Sequence, residues 1–131
     1  MLATPATADS AQLDGSAVIT VHHRGDGTQP PAELGDPTEW GVITFAVNNS
    51  AGRMKPMTIE YPGGGEWSYG SEARDDHKYC YSNYWHPDVQ HGSTAKLGGN
   101  SNKAVAFPGQ VSNANVTGKL WEDCSAYYAK Y

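Results

Sequence analysis

The side chains with most chemical capacity crowd into residues 63–95, which hold two of the four Trp, four of the eight Tyr, three of the five His and one of the two Cys. Three chemistries are open to such a window. The first is metal binding. His86 and His91 stand five apart with Asp88 between them, but no third and fourth ligand accompany them, so structural or surface histidines are expected. The second is hydrolysis. The chain has no G-x-S-x-G and no H-E-x-x-H. A glycosidase needs two carboxylates across a cleft. Glu66, Asp88 and Glu122 are candidates, but among fourteen acidic residues such a choice is not specific. No catalytic residue, metal or cofactor is therefore expected. The third is recognition by rigid aromatic rings, which either fill a small β core or form a binding surface. Residues 61–131 are poor in Leu, Ile and Phe, so Trp67, Tyr79, Tyr81, Tyr84 and Trp85 are needed mainly as core. Adjacent side chains on a strand point to opposite faces, so Tyr84, Trp85 and His86 cannot all face inward. Trp67, Tyr69, Tyr84, Trp85 and His86 are the binding candidates.

Cys80 and Cys124 are too few for a zinc site and lack C-x-x-C spacing. In an exported protein they read as one disulfide, which would stabilise the fold by about 4 kcal/mol in the chain-entropy model. Export is also suggested by Ala6-Thr7-Ala8, a small-x-small pattern like a signal-peptidase site, with Asp9 near the mature start. No stretch is long enough to cross a membrane as a helix. The formal charge of -5 argues against a phosphate-backbone binder and against an anionic-lipid anchor, so neither nucleic acid nor membrane insertion is expected.

The elements that must position these residues are short strands. With 15 Gly, 8 Pro and 38% hydrophobic residues, many turns and no large helix are expected. Residues 1–16 read as a disordered tail or signal-peptide remnant. Residues 17–60 read as an acidic, β-rich arm; residues 1–60 together hold three basic and seven acidic side chains. Residues 61–131 carry the main core. Strands are expected over 17–22, 40–47, 57–61, 66–69, 78–84, 92–97, 103–107, 110–112 and 125–131, with Ile43, Phe45 and Val47 on one face. Residues 23–37, 48–55 and 71–77 read as loops or turns, and 113–119 as polar and irregular. Turn signals about every ten residues predict an all-β fold, a small antiparallel sandwich. Arg24-Gly25-Asp26 is read as a plain turn. Asn48-Asn49-Ser50 and Asn115-Val116-Thr117 match the glycosylation acceptor pattern, a common chance match.

Four blocks carry a resemblance: Gly64-Gly65-Glu66-Trp67-Ser68-Tyr69-Gly70, Tyr81-Ser82-Asn83-Tyr84-Trp85-His86, His91-Gly92-Ser93-Thr94-Ala95, and Ser125-Ala126-Tyr127-Tyr128. In this order and spacing they resemble the lactococcin 972 family of bacteriocins over residues 63–131. The resemblance implies a secreted sandwich of two small antiparallel sheets and antagonism between bacteria rather than catalysis. In the founding type it implies binding to lipid II and blocked septum formation, with no contact residues to carry over. The founding type lacks the cysteine pair and anything like residues 17–60. In that extra length the chain resembles longer actinobacterial members, some similar to the adaptor subunits of Streptomyces umbrella toxin particles. Such an adaptor joins a large toxin stalk to a lectin-like chain through an extended amino-terminal segment. The resemblance thus implies a secreted, non-enzymatic adaptor; a free-standing bacteriocin is the alternative. A β-rich arm suits strand addition to a partner's edge, through Val18, Ile19 and Val21, unless that run pairs within its own sheet.

Overall fold

The computed structural model describes residues 19–45, 58–74 and 76–131. Among them are nine strands: β1 (Thr20–His23), β2 (Glu39–Phe45), β3 (Thr58–Glu60), β4 (Glu66–Arg74), β5 (His77–Trp85), β6 (His91–Leu97), β7 (Asn100–Ala106), β8 (Val111–Lys119) and β9 (Cys124–Lys130). Two single 3-10 turns, Ala32–Leu34 and Pro62–Gly64, complete the described elements. The strands form two antiparallel sheets, a five-stranded one ordered β1-β2-β9-β6-β7 and a four-stranded one ordered β3-β4-β5-β8. The expected all-β sandwich is the observed fold. Strands preceding residue 61 join both sheets. β2 lies between β1 and β9, in register from Glu39 opposite Lys130 to Phe45 opposite Cys124.

Three local expectations are corrected. Residues 113–119 are not irregular: they are the greater part of β8, paired residue for residue with β5. Their polar residues alternate with Ser112, Ala114, Val116 and Gly118, small enough to lie against the opposite sheet. The charged segment 71–77 is not all turn, because β4 runs through Arg74 and β5 starts at His77. Residues 100–102 are strand as well. The expected run 48–55, Val47 and Val18 lie outside the described residues.

The core follows the alternation. Ile43, Trp67, Tyr69, Tyr84, Ala126 and Tyr128 form its main cluster, with Ile19 packed against it. The Trp67 ring lies 4.6 Å from Tyr69 and 5.0 Å from Tyr128, and its indole N–H donates to Ser82 Oγ at 2.9 Å. Ser82 Oγ donates in turn to the Tyr127 carbonyl of the other sheet at 2.8 Å. A second cluster surrounds the Cys80–Cys124 disulfide, which joins β5 to β9 and so links the two sheets. On the β7 side the sandwich is sealed by side chains. Asn100 and Asn102 donate to the carbonyls of Thr117 and Asn115 on β8 at 3.3 and 2.9 Å. Of the four edge strands, β7 and β8 are joined by these bonds, and β1 and β3 form the opposite edges of the two sheets.

The 3-10 turn Pro62–Gly64 closes one end. Tyr84 Oη donates to the Pro62 carbonyl at 2.9 Å, and Lys130 Nζ to the Gly63 carbonyl at 2.9 Å. Gly63 sits at φ +66° with Glu39 Oε2 and Tyr84 Oη crowding where a Cβ would stand, so the turn needs glycine there. Beneath it, Tyr128 Oη donates to buried Glu39 at 2.6 Å, and Lys130 Nζ pairs with the same carboxylate at 3.3 Å. Burial, followed by the hydrogen bond to Glu39, drives the Tyr128 phenol far above its ordinary range. Burial and then the Glu39 charge do the same to Tyr84, and burial raises Tyr81 and Tyr131.

These shifts set the direction of alkaline unfolding. Phenols free in the unfolded chain ionise near pH 10, whereas the folded state keeps these protons. Their contribution to stability is complete below that pH and drains away as pH rises above it. A tyrosinate absorbance titration run beside circular dichroism should show Tyr84 and Tyr128 ionising only with loss of the fold. Ionisation of all eight tyrosines near pH 10 with the fold intact would refute the assigned burial.

Candidate functional site: the outer face of the four-stranded sheet

The two sheets present unequal outer faces. That of the five-stranded sheet is roofed. The 3-10 turn Ala32–Leu34 lays Leu34 on Trp40 and Ala129, with Val42, Tyr127 and Tyr131 around them. His22 stacks on Trp40 at 4.3 Å, Tyr131 Oη donates to the Leu34 carbonyl at 2.7 Å, and Lys96 pairs with Glu33 at 3.2 Å. The loop leading to this roof is tied by Asp26, which accepts from Thr28 and from the backbone N–H of His23. These bonds, the Thr28 hydroxyl first, pull the Asp26 carboxyl down to about 2. The Asp26 carboxylate of Arg24-Gly25-Asp26 is thus occupied locally, and Arg24 pairs with Asp36 at 3.3 Å.

The outer face of the four-stranded sheet has no such cover among the described residues. Its central strand, β5, buries Lys78, Cys80, Ser82 and Tyr84 and turns His77, Tyr79, Tyr81, Asn83 and Trp85 outward, all half-buried. Register then sets their neighbours. Trp85 lies between Glu66 and Val111, Asn83 between Ser68 and Asn113, Tyr81 between Gly70 and Asn115, Tyr79 between Glu72 and Thr117, and His77 between Arg74 and Lys119. Gly70 leaves room for Tyr81, whose hydroxyl would stand 2.7 Å from any Cβ placed there. The Arg74 guanidinium covers the Tyr79 ring at 4.0 Å and pairs with Glu72 at 2.9 Å. At the other end the Trp85 indole N–H donates to the Gly109 carbonyl at 3.2 Å. Glu66, Ser68, Trp85 and Val111 line a shallow depression of about 320 Å³.

The five aromatic and histidine candidates divide sharply. Trp67 and Tyr84 are 0% exposed and Tyr69 is equally enclosed, so none of the three offers a surface to a partner. This is a correction: they hold the two sheets together. His86 is buried as well. Its Nδ1 accepts from the backbone N–H groups of Asp88 and Val89 at 3.0 and 3.3 Å, which leaves Nε2 to donate to the Gly63 carbonyl at 3.0 Å. His91 is enclosed between the carbonyls of Val89 and Gln110, at 2.7 and 2.6 Å. Both nitrogens of both rings are occupied, and among the described residues no group of three or more His, Cys, Asp or Glu could hold a metal. Only Trp85 of the five candidates faces outward.

The arm residues part in the same way. Ile19 packs on the main core, while Val21 is 41% exposed on β1, which pairs with β2 from Thr20 opposite Val42 to His23 opposite Glu39. The run therefore pairs within its own sheet over Thr20–His23. The carboxylates Glu66 and Glu122 lie at opposite ends of the sandwich, the latter accepting from the Lys119 N–H at 2.9 Å. Ser68, Val111 and Asn113 escaped sequence reasoning. The alternation of residues 111–119 was the signal that could have found Val111 and Asn113, and the extension of 66–69 into a longer strand the one for Ser68. Trp121, 70% exposed in the β8–β9 turn, is a separate ring beside Lys119.

Fold and face together define a small, disulfide-linked β-sandwich with one sheet roofed and the other uncovered among the described residues. A family model described as Bacteriocin (Lactococcin_972) matches residues 63–128, half of the chain, and the chain belongs to that family. It is therefore a bacteriocin-like protein with an antibacterial role. Neither the curated proteins nor the solved structures contain a match. No helix among the described residues is long and apolar enough to cross a membrane.

Proposed function

We propose that the chain is an exported, non-enzymatic adaptor of interbacterial antagonism, joining subunits of an antibacterial complex through two separate surfaces. The observation that supports this reading is that one cross-linked body carries, on different sheets, two surfaces that nothing among the described residues covers. One is the outer edge of β1, which has no further strand beside it among the described residues and suits addition of one, stopping short of His23, whose backbone is held by Asp26. The other is the bare face around Trp85. Because β1 is itself part of the sandwich, a partner strand would add to it, rather than the arm reaching out to a partner. The resemblance implies a lectin-like chain and a large toxin stalk as partners.

A free-standing bacteriocin that binds lipid II is the second reading. It is favoured by Arg74, His77 and Lys119, adjacent in register at the far end of the same face and suited to a pyrophosphate. Size exclusion of secreted material from the producing strain, with mass spectrometry of co-eluting chains, separates the two. Elution in a large particle with companion chains is expected. Elution as a monomer that kills neighbouring bacteria unaided would replace the adaptor with the second reading.

A further inference from the structure

We infer that the depression at the Trp85 end of the bare face is a saccharide site, taking a neutral sugar ring on the indole. This rests on the reading of that face as a binding surface and names what it binds. Glu66, Trp85 and Val111 are direct cross-strand neighbours, and Ser68, Asn83 and Asn113 form the next row. Such neighbours stand about 5 Å apart, so the six side chains make one patch with the indole at its centre. The depression, about 320 Å³, lies at the small end of the range for ligand sites. The indole is held by its bond to Gly109, so little ordering cost remains when a ligand stacks on it.

The groups around the ring are uncommitted. The Glu66 carboxylate, the Ser68 hydroxyl and the Asn83 and Asn113 amides have no hydrogen-bond or ion-pair partner among the described residues. A sugar has an apolar C–H face and a rim of hydroxyls that both donate and accept. The carboxylate accepts from hydroxyls, and each amide donates as well as accepts. Other ligand classes match less of this pattern. A nucleic acid would bring phosphates to Glu66. An apolar protein anchor would meet polar ground, because exposed Ile59 stands beside Ser68 at the end of the polar row and exposed Val111 lies on β8, with β4 and β5 between them. A quaternary ammonium is held in a cage of rings, and among the described residues Trp85 is the one ring lining this depression. The next outward ring along β5, Tyr81, is four residues away, about 13 Å at the strand rise. A short oligosaccharide lying along β5 would reach it.

The test is a titration of the ¹⁵N-labelled full chain with cellotriose, maltotriose and chitotriose at millimolar concentration. Saturable shifts are expected with at least one of the sugars, confined to the Trp85 indole N–H and the residues of the two rows. Trp85→Ala and Glu66→Gln should each weaken binding about tenfold or more, a loss of roughly 1.4 kcal/mol, while Trp121→Ala leaves it unchanged. Glu66 is exposed, so Glu66→Gln keeps the test valid if Trp85→Ala fails to fold. Silence with all three sugars, or binding that survives both variants, overturns the saccharide site. Companion chains without sugar binding would remove this inference alone; sugar binding without companions would remove the adaptor alone.

Discussion

The Cys80→Ala/Cys124→Ala double variant is expected to be less stable than the parent by about 4 kcal/mol. The bond spans a sequence separation of 44 residues and links the central strand of one sheet to the first residue of β9 in the other. Cross-linking a loop of that length removes much of the unfolded chain's freedom, and the chain-entropy relation puts the effect at the stated size. Alanine is the right replacement because the neighbours are Ala95, Leu97, Ala114 and Val116, so no polar group is buried and the cavity is small. Urea unfolding should show a lower midpoint, with a steeper dependence because the uncrosslinked chain exposes more surface. The melting temperature should fall by on the order of 15 °C. A loss below about 1 kcal/mol would show that this core does not depend on its cross-link.

Trp67→Ala is expected to cost about 3–5 kcal/mol, the range for a large aromatic removed from a closed core. The ring contacts Tyr69 and Tyr128, and its N–H is the donor to Ser82. Its loss opens a cavity between the sheets and leaves Ser82 with one hydrogen bond fewer. Trp85→Ala, on the same window of sequence, should cost about 1 kcal/mol or less, because a half-buried ring on a sheet surface loses mainly cross-strand contacts. Thermal melts of the two variants side by side decide the matter. Equal losses would mean that the two faces of the four-stranded sheet have been assigned wrongly.

That contrast marks how far the candidate site was legible in the chain. The period of two in His77–Trp85 was readable, and so was the conclusion that Tyr84, Trp85 and His86 cannot share a face. Which phase points inward was not readable, because both phases mix aromatic and polar residues: Tyr84 with Lys78 and Ser82, Trp85 with His77 and Asn83. The cross-link gives the phase, since Cys80 must face the opposite sheet to meet Cys124 and takes Ser82 and Tyr84 with it. His86 escaped the period altogether, because it lies past the strand end and folds under the Gly63 turn. β8 was half missed, since its inward residues are as small as those of a loop. The 3-10 roof over Trp40 was read as a plain loop, because Leu34 alone gives no helical pattern.

The sequence by itself carried the all-β class, a cysteine pair that reads as one bond in an exported protein, and a bacteriocin pattern over residues 63–131, which the family model matches over 63–128. Turn residues, alternation and motif order are local properties, and they survive without knowledge of the partners across the sandwich. Only the tertiary structure decided which rings are core, that Thr20–His23 pairs within its own sheet, and that one sheet is roofed while nothing among the described residues covers the other. Those outcomes depend on which segment, distant in sequence, arrives to cover a given face. The hydrophobic effect rewards covering either face of a mixed strand almost equally. The choice therefore falls to register, the disulfide and the closing turn.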